Sequence, residues 1–154
     1  MSPYTKTQIP YQFHFSFMER RGRYTVVLDS IDVFALMLTD RSWLAAPENT
    51  ELISHEQGHF DIAHLRALRV QAAFEEQIRG GRAPRATGRT VEEAAAALNA
   101  SIREVFGPWI AEMQTADAEY DAATGHGTLR KAQAEFDRRL AAELAEAEAA
   151  LNER

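Results

Sequence analysis

The sequence predicts an α+β fold in which a small antiparallel or mixed sheet of about three strands packs on one long helix and two or three further helices. Three observations carry this reading. Residues 11–17 alternate strictly, apolar periodicity of helical type runs from about residue 48 to 79, and two alanine-rich helical stretches fill most of residues 90–152. With 154 residues and no cysteine, the chain is read as one domain with a core large enough to need no disulfide. Its parts are an arm over 1–10, a sheet over 11–39, a central helix over 48–79 and a helical part over 90–152.

In the sheet, Tyr11, Phe13, Phe15 and Phe17 share one side of a strand, and Gln12, His14 and Ser16 the other, so the aromatic face is expected inward. Arg20-Arg21-Gly22-Arg23 reads as a turn, and Tyr24 to Leu28 returns as the partner strand of a hairpin. Asp29-Ser30 break the pattern, and Val33 to Leu38 reads as a third strand that delivers the chain to the central helix. His14, on the polar face, is assigned to solvent. Trp43 is assigned to anchoring the helix start rather than to a substrate groove.

Pro47 stops anything earlier, Asn49 or Thr50 can cap the helix, and Gly80-Gly81 end it. Inside it lies His55-Glu56-Gln57-Gly58-His59. At about 100° per residue, His55 and His59 stand roughly 40° apart and one turn along, so both imidazoles reach one ion. Glu56, about 100° round from His55, can touch a water beside that ion without ligating it, which is the placement of a general base. Gly58 costs helix propensity, and its usual reason is a close approach to the backbone. His64 lies roughly 140° round from His59 and faces away.

Residues 80–89 are rich in Gly, Pro and Arg and read as a mobile connection. Thr90 and Glu93 form a capping box that opens a helix carrying Leu98, Ile102, Val105 and Phe106 on one stripe. Gly107-Pro108 predicts a bend, or a new helix from Trp109 to about Tyr120. Periodicity then gives way to small residues over 120–127, read as a loop, where His126 stands between two glycines. Helix phase or context disfavours the other histidines, so His126 is the candidate third ligand. The last helix carries Leu129, Ala132, Phe136, Leu140, Leu144, Ala147 and Leu151 at helical spacing.

Without cysteine, any zinc must be held by His, Asp or Glu, which points to a catalytic rather than a structural ion. A net charge of −6 gives no basic field and argues against nucleic acid as the partner. No stretch reads as a signal peptide or membrane span. That leaves the cytoplasm for the chain as it stands, or an exported location if a targeting segment has been removed.

HEQGHFDIA at 55–63, preceded by Ser42-Trp43 and followed by YDxxTxHG at 120–127, resembles the bacterial DUF922 family of predicted zinc-dependent proteases within the zincin-like peptidases. The resemblance implies a zincin-like fold, His55 and His59 as zinc ligands, Glu56 as catalytic base and His126 as third ligand. The expected activity is hydrolysis of a peptide or protein substrate by zinc-activated water. Tyr120 is the candidate donor to the tetrahedral oxyanion, with a core tyrosine the equal alternative. Asp61 or Asp121 is a candidate to orient a ligating imidazole. The alternative function is a non-catalytic zinc-binding module that recognises or regulates a partner.

Overall fold

A computed structural model describes residues 5–38 and 49–153. Its elements run β1 (Thr7–Gln8), β2 (Tyr11–Arg20), β3 (Arg23–Val33), β4 (Leu36–Met37), α1 (Thr50–Arg79), β5 (Arg85–Gly88), α2 (Val91–Thr124) and α3 (Arg130–Asn152). The class is α+β, with the strands in two small antiparallel sheets, β1-β4 and β2-β3-β5. Ser42, Trp43 and Pro47 lie outside the described residues, and so do the roles assigned to them. The described residues fall into two compact units. One draws on 5–10, 34–38, 49–69 and 111–153, the other on 11–33 and 70–110.

The second unit is built on the predicted hairpin. Arg21 and Gly22, both in the left-handed region, turn β2 into β3. The pairing passes from Phe15–Leu28 to His14–Ser30, so Asp29 is the extra residue of a bulge, and its carboxylate accepts a hydrogen bond from Ser16 Oγ at 2.9 Å. The strand therefore continues through Asp29-Ser30, where the sequence pattern predicts a break. The aromatic alternation holds for Tyr11, Phe13 and Phe15, which are half-buried, but Phe17, towards the turn of the hairpin, is 58% exposed. The core joins Val26, Leu28 and Ile31 of β3 to Val70 and Phe74 of α1 and to Ala94, Leu98, Ile102 and Phe106 of α2. Tyr11 packs on Phe106 with ring centroids 4.6 Å apart and donates its hydroxyl to Asn99 Oδ1 at 2.7 Å.

Residues 80–89 are not the unstructured connection the composition suggests. Gly81, at φ +68°, closes α1, and Arg85 to Gly88 then pair with Val27 to Tyr24 as β5. The Gly and Pro content marks the turn before a strand rather than an open loop. Thr90 Oγ1 caps α2 by accepting from the Glu93 N–H at 3.1 Å, while Glu93 reaches back one residue further than a capping box requires, to the Arg89 N–H at 2.6 Å.

Pro108 does not end α2, which runs unbroken for 34 residues. Gly107 and Pro108 both face solvent, so the carbonyl that loses its helical partner can be hydrated. The consequence reaches the second motif: residues 120–124, expected in a loop, are the last turn of a helix. In the first unit, Asn49 Oδ1 caps α1 by accepting from the N–H groups of Glu51 and Leu52, at 3.1 and 3.2 Å. Ile62, Leu65, Met113, Tyr120 and Leu140 form the core there. The third strand is shorter than expected: Leu36–Met37 pairs with Thr7–Gln8. No described helix is long and apolar enough to cross a membrane.

A Cβ at Gly88 would stand 2.5 Å from the Ala94 nitrogen and 2.9 Å from Glu93 Cβ, so the β5 end and the α2 start approach each other as backbone. Gly88→Ala is expected to destabilise the protein by about 2 kcal/mol, read as a lowered midpoint in urea unfolding with an unchanged slope.

Candidate metal centre

Extending α2 through residue 124 puts Asp117, Tyr120, Asp121 and Thr124 on one face, at i, i+3, i+4 and i+7. That face meets the His55–His59 face of α1. Tyr120 is fully buried, and its ring stacks on the His55 imidazole at 4.8 Å and 9° and meets His59 edge-on at 5.1 Å and 88°. Gly58 permits this, because a Cβ at that position would overlap the Tyr120 hydroxyl and ring. The close approach read from Gly58 in sequence is thus an approach by Tyr120.

Each imidazole is oriented through Nδ1. His55 Nδ1 lies 3.1 Å from Gln133 Oε1, and His59 Nδ1 lies 3.0 Å from Asp117 Oδ1. Gln133 Nε2 donates to Asp137 Oδ1 at 2.7 Å and to the Tyr120 hydroxyl, which fixes Oε1 as the acceptor facing His55. Both Nδ1 atoms therefore carry the ring proton, and both Nε2 atoms are left as the basic nitrogens. Those two nitrogens converge on one atom, Asp121 Oδ1, each at 3.1 Å.

The ligand atoms of His55, His59 and Asp121 all lie within 4.8 Å of one another and form a group able to hold a metal ion. Three acceptors facing one point repel unless a cation stands among them, so the donor set suits a divalent ion. Without an ion, a proton meets the same demand. Burial lowers the His59 pKa, but the hydrogen bond to Asp117 and the charges of Asp117, Asp121 and Glu56 outweigh it and hold the imidazolium above its ordinary range.

Glu56 is 7% exposed, and its Oε2 is buried with no hydrogen-bond partner among the described residues. It lines a cleft of about 270 Å³ with His59, Asp117, Asp121, Met113 and the chain around β1 at Lys6 and Thr7. A buried carboxylate oxygen without a partner, on a residue that lines a polar cleft, is suited to a water or a substrate proton.

His126 stands at the edge of the group. Gly125, His126 and Gly127 all occupy the left-handed region and close α2, with the His126 N–H donating to the Asp121 carbonyl at 2.9 Å. Gly127 packs against His55, where a Cβ would stand 2.9 Å from His55 Cβ. The His126 ring is 78% exposed, and its Nδ1 lies 3.4 Å from Asp121 Oδ1. Asp121 thus occupies the third place in the group that the sequence reading assigned to His126.

Tyr120 does not face the cleft as an oxyanion donor would. Its hydroxyl donates to the His55 carbonyl at 3.1 Å, and burial pushes its phenol pKa up to about 12, so it serves as the support on which His55 lies. Asp61 pairs with Gln57 at 2.8 Å on its own helix. The orienting roles fall to Asp117 and Gln133, both unassigned by the sequence reading. Asp117 was legible as the i−4 neighbour of Asp121 once the helix was carried to residue 124, whereas Gln133 carries no local signal. His14 is exposed, and His64 packs near Phe60 at 6.1 Å, outside the group.

No family model matches this chain, and neither does any curated protein or solved structure.

Gly58→Ala is expected to displace the Tyr120 ring and cost about 3 kcal/mol, since the helix backbone cannot retreat. Thermal unfolding followed by circular dichroism checks this. A variant within a few tenths of a kcal/mol of the parent would show that the ring has room to move.

Proposed function

We propose that this chain is a zinc-dependent metallopeptidase acting on a peptide or protein substrate, with His55, His59 and Asp121 as the protein donors and Glu56 as general base. The observation that carries the reading is the convergence of two basic Nε2 atoms and a carboxylate oxygen beside a buried, unpartnered Glu56 oxygen. The resemblance of residues 55–63 and 120–127 to the DUF922 proteases supports the same activity and zincin-like architecture. Zinc held by this donor set supplies a Lewis acid that lowers the pKa of water and polarises a carbonyl.

The chain's own residues do the rest. Asp117 and Gln133 keep the Nδ1 protons of His59 and His55 in place, so the Nε2 lone pairs stay available as donors. Tyr120 holds the His55 ring flat against α2. Glu56 takes the proton from the attacking water and delivers it to the leaving amine as the peptide bond breaks. Its position one residue from His55 turns it away from the donor group and towards the cleft that it lines.

The non-catalytic reading is favoured by one observation, the presence of His126 as a further nitrogen next to the donor group. Four protein donors would fill a tetrahedral shell, as structural zinc sites do.

Glu56→Gln is expected to retain one zinc per chain and to lower peptide hydrolysis by about 10²–10⁴-fold, the usual contribution of general acid–base catalysis. Elemental analysis beside a peptidase assay tests it, and full activity in the variant would sink the mechanism. Asp117→Asn removes the negative acceptor of the His59 proton and is expected to weaken zinc affinity by about 10–100-fold, measurable by competition with a chromogenic chelator.

A further inference from the structure

We propose that the turn end of the β2–β3 hairpin, with the outer face of the three-stranded sheet, docks on an anionic phospholipid surface. This surface belongs to the second compact unit, and none of its residues contributes to the candidate metal centre.

Strand register places the residues. Successive side chains of a strand point to opposite faces, and register partners share a face. Val26 and Leu28 are buried, so the alternate positions of β3, Arg23, Thr25 and Val27, lie on the outer face. Their partners Arg20, Met18 and Ser16 on β2, and Thr87 and Arg85 on β5, share it. Arg20 and Arg23 form one row beside the turn, and Arg85 joins the row of Val27, about 13 Å further along. Met18, 63% exposed, lies between them.

This arrangement carries a cost that folding does not explain. Arg20 and Arg23 are direct cross-strand partners, and like charges so placed destabilise a hairpin. Arg21, at the turn between them, adds a third cation. Arg20, Arg21, Arg23 and Arg85 are all exposed, and none makes an ion pair with a described residue, whereas the neighbouring Arg89 is held by Glu93 at 2.9 Å. Glu19, the acid of this hairpin end, sits on the opposite face and accepts the Gly22 N–H at 2.5 Å. The unit as a whole carries eight arginines and eight carboxylates, so the chain's net −6 lies outside it.

Charge calls for an anionic partner, and the apolar side chains narrow it to a bilayer. Phe17, 58% exposed, and Met18 are consecutive, so they project from opposite faces of the same hairpin end. A rigid partner covers one of them, while a headgroup layer closes round both. A nucleic acid would find its phosphate contacts on the arginine face, but the aromatic rings able to stack on bases, Phe17 and Tyr24, are on the other. Arginine stems lie along apolar surface with the guanidinium turned to phosphate, which suits the boundary between headgroups and acyl chains.

The test is co-sedimentation of the full chain with phosphatidylcholine vesicles, with and without phosphatidylserine. Binding is expected only where phosphatidylserine is present and is expected to fall as salt is raised. Each arginine near an anionic surface contributes about fivefold, so Arg20→Gln, Arg23→Gln and Arg85→Gln together lower the partition by about 10²-fold. The control replaces three exposed cations elsewhere, Arg103, Lys131 and Arg138, by glutamine and is expected to change the partition by no more than about twofold. No binding of the parent to either vesicle, or an equal loss in the control, would overturn the inference. So would tighter binding of a single-stranded oligonucleotide that the hairpin variant loses, which would make the face a nucleic-acid surface. A dimer in sedimentation equilibrium that the hairpin variant dissolves would overturn it too, by making the face a contact between copies. Should circular dichroism show the triple variant unfolded, Arg20→Gln with Arg21→Gln replaces it under the same criteria, with a loss of about 25-fold expected.

Discussion

The ring of Tyr120 lying against Gly58 is the contact on which the candidate metal centre depends. Its aromatic face sets the plane of His55, its edge meets His59, and its hydroxyl ties α2 to the His55 carbonyl. Any side chain at position 58 would push the ring away, and Asp117, Asp121 and Thr124 would move with it, because they share its helix face. A helix of 30 residues accepts one interior glycine at a cost of about 1 kcal/mol. Burial of a large aromatic side chain offsets that cost several-fold.

The polar groups around this contact are arranged so that each orienting partner frees a ligating atom. Gln133 is buried and spends its amide on Tyr120 and Asp137 while its oxygen faces His55. Asp117 does the same for His59 with a full charge, which explains why the His59 imidazolium is stabilised despite burial. Ion pairs between Arg130 and Glu51 and between Arg69 and Glu143 join α1 to α3 at the surface, where such pairs contribute little to stability. The hydrogen bonds buried around His55 therefore matter more to the centre's geometry than the visible surface charges.

The left-handed run at 125–127 has two tasks. It terminates α2 by hydrogen bonds from the N–H groups of His126 and Leu129 to the carbonyls of Asp121 and Thr124, and it returns the chain to α3, which supplies Gln133.

Periodicity made the hairpin, the long histidine-bearing helix and the α+β class legible, because alternation and helical phase are local properties of neighbouring residues. The same phase placed His55 and His59 on one face and Glu56 beside them, and the lone Gly58 announced a close approach. Local rules misjudged the remainder where the chain's environment outweighed them. Pro108 reads as a break, but its solvent-facing position lets water satisfy the freed carbonyl and lowers the penalty, and the Gly- and Pro-rich stretch before α2 reads as a loop until β3 offers it an edge to pair with. The convergence of Asp121 with His55 and His59, the hydrogen bonds of Asp117 and Gln133 to the two imidazoles, and the burial of Tyr120 were decided only by tertiary structure. A donor's part in a metal centre depends on which atoms stand within about 3 Å of it in space, and residues 58 to 78 positions apart meet there only when three helices pack.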